Sequence, residues 1–239
     1  MTIEITVAAR NVFTVSSREI SVVVEYEPIS NDGVLMERVG ETLVVAYLTL
    51  DNSYTPIDER IGDGMGKLYS FHRHAKRGDF AAGMKVIGND IYGCKDDDIK
   101  PDMDGVVLDC YQHGGVVWSV SGAGMQCQFD TARGAGVWVP DDELRKQIGS
   151  EECKGKGTRH ERCVHYCKQF LHDYNAISNG EVYGCVLHVY KLDSQENWEH
   201  MAGNDEALWG FIGYDAALKC LKEDHFDPVV KQLHECLPT

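Results

Sequence analysis

The apolar residues of this chain change period along its length, and the changes predict its elements. In the first third they gather into short runs rich in Val, Ile and Tyr, at residues 3–7, 20–26 and 42–50. Runs of that length, parted by Asn31-Asp32-Gly33 and Asp51-Asn52-Ser53, predict strands joined by turns. Gly62 to Gly66 reads as a loop, and 72–83 as a short helix or an irregular segment. Residues 106–111 and 116–121 flank Gly114-Gly115 and predict a hairpin. A short strand at 135–139 precedes Pro140-Asp141-Asp142-Glu143, whose proline and acids suit a first helical turn.

From 158 to 177 the period becomes helical. Cys163, Cys167, Phe170, Leu171 and Tyr174 form one apolar face, Gly155 and Gly157 precede it, and Asn179-Gly180 ends it. Strands at 182–190 and 208–212 and helices at 215–222 and 228–236 close the chain. The pattern predicts an α+β protein with an antiparallel or mixed sheet and a few helices, mainly in the C-terminal half. It divides into a strand-rich region, 1–100, and an α+β region, 101–239, or forms one continuous domain.

Composition narrows the class. Of 239 residues, 43% are hydrophobic and 26% charged, as in an ordinary soluble protein. The longest apolar runs fall far short of a membrane span, and the first residues read as a strand rather than a signal peptide. The expected location is the cytoplasm. Nine cysteines without a Cys-x-x-Cys pair predict free, buried thiols in that compartment. The formal charge of −15 argues against direct binding to nucleic acid or to an anionic membrane, both of which need clustered basic charge. It suits either plain solubility or an acidic protein that occupies a basic surface on a partner.

Four patches stand out: Gly66-Lys-Leu-Tyr-Ser-Phe-His-Arg73 with Gly78-Asp79, Phe129-Asp-Thr-Ala-Arg-Gly-Ala-Gly136, Gly180-Glu-Val-Tyr-Gly184 and Glu206-Ala-Leu-Trp-Gly-Phe-Ile-Gly213. In this order they resemble a family of uncharacterised proteins of bacteriophages and other mobile elements, with patches His-Arg…Gly-Asp, Trp-Asp-Ser-Gly, Gly-Glu-Val-Tyr-Gly and Glu-Ser-Cys-Trp-Gly-Phe-Tyr-Gly. His74 stands where that family has Arg, and Phe129 and Thr131 where it has Trp and Ser. Ala207 and Leu208 replace its Ser and Cys, which removes any cysteine nucleophile from that patch. The last patch reads as a core strand with Trp209 and Phe211 on one face. The resemblance implies a mobile-element origin and names no reaction. Taken with the strong acidity, it leads to the expectation of a phage-encoded inhibitor of a host defence system, anti-CRISPR or anti-restriction, whose partner is a defence protein or ribonucleoprotein complex.

On that reading Asp96, Asp97, Asp98, Asp102, Asp104, Asp141, Asp142 and Glu143 supply the acidic partner surface. The alternative is a hydrolase or nuclease that draws His72, Asp79 and Asp130 into one cleft. A structural or regulatory phage protein is a third reading. No metal or cofactor is expected. Cys153, His160, Cys163, His165 and Cys167 lack a zinc-finger spacing, and the acidic loop puts Lys100 and Tyr111 at the calcium-loop positions that need ligands. The P-loop, Gly-x-Ser-x-Gly, His-Glu-x-x-His and Rossmann signatures are absent, and Lys154-Gly-Lys-Gly-Thr158 lacks the strand that feeds a phosphate loop.

Overall fold

The structure, a computed structural model, describes residues 4–9, 12–17, 20–53, 61, 64–70, 104–150, 153 and 157–237. Strands run in the order β1 (Glu4–Ala9), β2 (Val12–Ser16), β3 (Ser21–Val24), β4 (Val34–Val39), β5 (Thr42–Leu50), β6 (Lys67–Ser70), β7 (Val106–Gln112), β8 (Val116–Val120) and β9 (Thr131–Val139). They continue with β10 (Val182–Leu192), β11 (Trp198–His200) and β12 (Glu206–Ile212). The α-helices are α1 (Asp142–Ile148), α2 (Arg159–Ser178), α3 (Tyr214–Cys220) and α4 (Asp227–Glu235). The protein is α+β, its sheets are antiparallel, and these helices all lie in the C-terminal half. No helix among the described residues is long and apolar enough to cross a membrane.

The chain forms two compact units, Met1–Tyr54 with Gly180–Thr239 (unit 1) and Thr55–Asn179 (unit 2). This differs from a division at residue 100. A linear cut cannot register that β5 pairs with β10, from Tyr183↔Leu50 to Lys191↔Thr42, across the whole of unit 2.

In unit 1 the sheet order is β11-β10-β5-β4, with β12 also paired to β10, and β1–β3 form a separate three-stranded sheet. Strand alternation decides what each residue of β5 meets. Leu43, Val45 and Tyr47 join Val15, Ile20, Val22 and Val24 in one core, while Val44, Ala46 and Leu48 join Ala217, Leu221, Phe226 and Val230 in another. Burial on both faces is why β5 and β10 read as nearly unbroken apolar runs. The second core is capped by α3 and α4, joined through a π-helical turn at Leu221–Phe226.

In unit 2 the order is β6-β9-β7-β8, and α2 packs on that sheet. The predicted helix face, Cys163, Cys167, Phe170, Leu171 and Tyr174, is buried. Its start is set by a capping box, with the Thr158 side chain and Glu161 satisfying each other's backbone N–H groups. Asp141 caps α1, accepting from the N–H groups of Leu144 at 2.9 Å and Gly66 at 3.2 Å.

The four sequence patches sort into two pairs. The first two meet where Ser70 faces Gly136 across β6 and β9, and the last two where Tyr183 faces Phe211 across β10 and β12. The second pairing contains a bulge after Tyr183, and Gly210 takes the positive φ of 91° there. The Trp209 ring then lies on Gly184, where an added Cβ would come within 2.5 Å of Cε3. Its other neighbour is Tyr26, edge-on at 5.2 Å.

Gly184→Val should therefore displace Trp209 and cost about 1–3 kcal/mol, the range for overpacking. Urea unfolding followed by tryptophan fluorescence measures the loss, and an unchanged midpoint would contradict the close approach. The expected core strand is not found at β12. Among the described residues it is an edge strand paired only with β10, and Leu208 (45% exposed) and Trp209 (44% exposed) are half open to solvent.

Candidate functional site

Among the described residues, the densest cluster of chemically capable side chains lies in unit 1. His188 sits in β10 at the strand position shared with Val186 and Tyr190, on the face that packs toward β2 and β3. An imidazole in so apolar a run is tolerable only with partners, and His188, 2% exposed, has them on both nitrogens. Its Nε2 lies 3.1 Å from the Tyr47 hydroxyl, and its Nδ1 lies 2.9 Å from Asp205 Oδ1. The Tyr47 oxygen also accepts the Tyr26 N–H at 3.2 Å.

Two local features deliver the other members. β11 folds back on β10 with Tyr190 opposite His200, which sets the His200 ring 5.0 Å from that of His188. The chain then turns, Asn204 N–H donating to the Met201 carbonyl at 3.0 Å, and Asp205 returns to the same point. His200 Nε2 lies 2.8 Å from Asp205 Oδ1 and 3.3 Å from His188 Nδ1. Burial holds the Tyr47 and Tyr190 phenols well above their ordinary range, so both stay protonated, Tyr190 donating to the Val23 carbonyl at 2.7 Å. His188, His200 and Asp205 are the one group of three metal-capable side chains that converges among the described residues. The legible signal for it was His188 itself, a lone imidazole inside Val182–Leu192.

The residues singled out from sequence are placed as follows. His72, Asp79, Asp96, Asp97, Asp98 and Asp102 lie outside the described residues. Asp130 belongs to the turn before β9, 3.4 Å from His113 Nδ1 and 3.5 Å from the Cys127 thiol. Asp104 receives a two-pronged hydrogen bond from Arg159, both contacts 2.6 Å, which holds its carboxyl below the usual range. Asp141 is the α1 cap already described, whereas Asp142 and Glu143 are exposed.

Among the cysteines, Cys110, Cys153, Cys163, Cys167 and Cys185 are buried. Burial pushes the Cys110 thiol up to about 11 and those of Cys167 and Cys185 to about 12. Such thiols stay protonated near neutrality and make poor nucleophiles and poor ligands.

Charge is distributed unevenly. Unit 1 carries nineteen Asp and Glu against seven Lys and Arg, a formal −12, whereas unit 2 carries nineteen against sixteen, −3. Of the eighteen acids of unit 1 among the described residues, fifteen are exposed. No family model matches the chain, no curated protein matches it, and no solved structure matches it.

Proposed function

We propose that the protein is an acidic interaction protein whose unit 1 occupies a basic, nucleic-acid-binding surface on its partner. The observation that carries this reading is the concentration of negative charge in unit 1, −12 of the total −15. Of the acids first singled out in unit 2, Asp104 and Asp141 are engaged within the fold, which favours unit 1 as the docking face. The open edge of β12 adds apolar contact. Leu208 and Trp209 are half exposed there, and a tryptophan amid charge is the composition of an interface centre with a polar rim. The resemblance of the four patches to phage proteins suggests the partner class, a host defence protein or ribonucleoprotein complex.

Surface charges are screened over about 8 Å at physiological ionic strength, so an electrostatically docked complex should weaken steeply with salt. The test is an affinity pull-down of the tagged chain from lysates that contain working defence complexes, run across a salt series. Stoichiometric recovery of one such complex, released by salt and diminished by Trp209→Ala, is the expected result. A complex indifferent to salt would end the charge-mimic mechanism. Recovery of nothing specific would end the inhibitor reading and favour an enzyme.

A further inference from the structure

The arrangement around His188 has a geometry that hydrogen bonding alone does not require. Two imidazoles from different strands aim one nitrogen each at the same carboxylate oxygen, and those nitrogens stand only 3.3 Å apart. Ligand atoms held about 2.0–2.1 Å from one ion are about 3.0 Å apart at adjacent octahedral positions and about 3.3 Å apart in a tetrahedron. The observed edges of 2.8, 2.9 and 3.3 Å are close to both sets, so small side-chain adjustments would admit an ion.

We infer that unit 1 binds one divalent transition-metal ion of the zinc class through His188 Nδ1, His200 Nε2 and Asp205 Oδ1. Two imidazoles with one carboxylate suit zinc, cobalt or iron(II) better than calcium or magnesium, which prefer all-oxygen sites. Binding through Nδ1 leaves the His188 proton on Nε2, where the Tyr47 oxygen accepts it. Tyr47 thus becomes the outer partner that fixes the ring, a role metal-bound histidines regularly assign to a neighbour. His188 is buried, but His200 and Asp205 are 40% and 30% exposed, so an ion has a path in and water can complete its coordination. Two clefts flank the centre, one of about 430 Å³ bordered by His200 and one of about 420 Å³ bordered by Asp205. Three protein ligands with open positions beside clefts make a site that can polarise a bound water or a small oxygen ligand. The site does not depend on the docking face, and either can fail without the other.

The experiment uses the full chain stripped with chelator and titrated with Zn²⁺ by calorimetry, then with Co²⁺ by absorption. One ion per chain is expected, with a cobalt spectrum free of thiolate charge-transfer bands. His200→Ala and Asp205→Ala change partly exposed residues and should leave the far-ultraviolet circular dichroism intact. Each should weaken Zn²⁺ binding by more than about 100-fold, beyond the ~10–100-fold that loss of an outer partner costs. Tyr47→Phe should fall within that outer-partner range. Absence of binding would overturn the inference. So would affinity unchanged in both folded ligand variants, or a thiolate band, which would put the ion on the cysteines.

Discussion

Replacing Trp138 by alanine is expected to lower the unfolding free energy of unit 2 by about 3–5 kcal/mol, the cost of deleting a large aromatic from a packed core. Trp138 is fully buried in β9, its ring centre 6.4 Å from that of Phe170 on α2. Its Nε1–H donates to the Met65 carbonyl at 3.0 Å, which anchors the chain just before β6. Alanine would leave a cavity between sheet and helix and free that carbonyl, so both terms act in the same direction. Phenylalanine would keep most of the volume and lose the hydrogen bond, and should cost less. Urea unfolding followed by circular dichroism checks the pair. A loss below about 1 kcal/mol for alanine would mean that the ring is not packed as described.

The second large effect belongs to Asp109, a carboxylate only 1% exposed in β7. Burial would raise its pKa, but four donors outweigh it: the N–H groups of Gly122 and Gly134 at 2.8 and 2.9 Å, the Gln126 amide at 3.1 Å and the Ser121 hydroxyl at 2.9 Å. The net result is a carboxyl held below its ordinary value of 3.8.

A group whose folded pKa is depressed contributes stability that is fully present above the unfolded value and is lost as pH falls through the folded one. Asp109 should therefore stabilise the protein at neutrality and cease to do so in the acid range below 3.8. Asp109→Asn keeps the shape but turns an NH₂ group toward one pair of donors. A hydrogen bond to a charged group is worth ~1.5–3 kcal/mol, so the expected cost at neutral pH is about 3 kcal/mol, shrinking as the wild type is acidified. Unfolding curves for both proteins at descending pH decide it. A gap that stays constant into acid would contradict the depressed pKa.

The sequence disclosed elements wherever local chemistry alone determines them. The helix of 158–177 was legible because its caps and apolar face lie within twenty residues, and it appears as Arg159–Ser178. β5 was legible because both its faces are buried, which leaves a continuous apolar run. β4 is not legible because Glu37 and Arg38 interrupt its pattern, nor are β6 and β11, whose four and three residues are too few for a period to register. The patch around Trp209 reads as a core strand in the sequence but is an edge strand in the fold, because alternation does not reveal how many neighbours a strand has. The convergence of His188, His200 and Asp205 was hidden for another reason. It depends on the pairing of β10 with β11 and on the turn from Met201 to Asn204, and none of the three residues lies in a recognised ligand spacing.

The passage of the chain through unit 1, into unit 2 and back sets an order of events during synthesis. β5 leaves the ribosome with an unsatisfied edge and two greasy faces, and its partner β10 begins about 130 residues later. At ~5–20 residues per second the wait is roughly 7–26 s. Throughout that interval β4, with its Glu37 and Arg38, is the sole neighbour that the central sheet has to offer β5. A nascent strand in that position invites pairing with other chains. Ribosome-bound chains stalled before β10 should therefore be the species that recruits chaperones, and release from them should coincide with the emergence of β10.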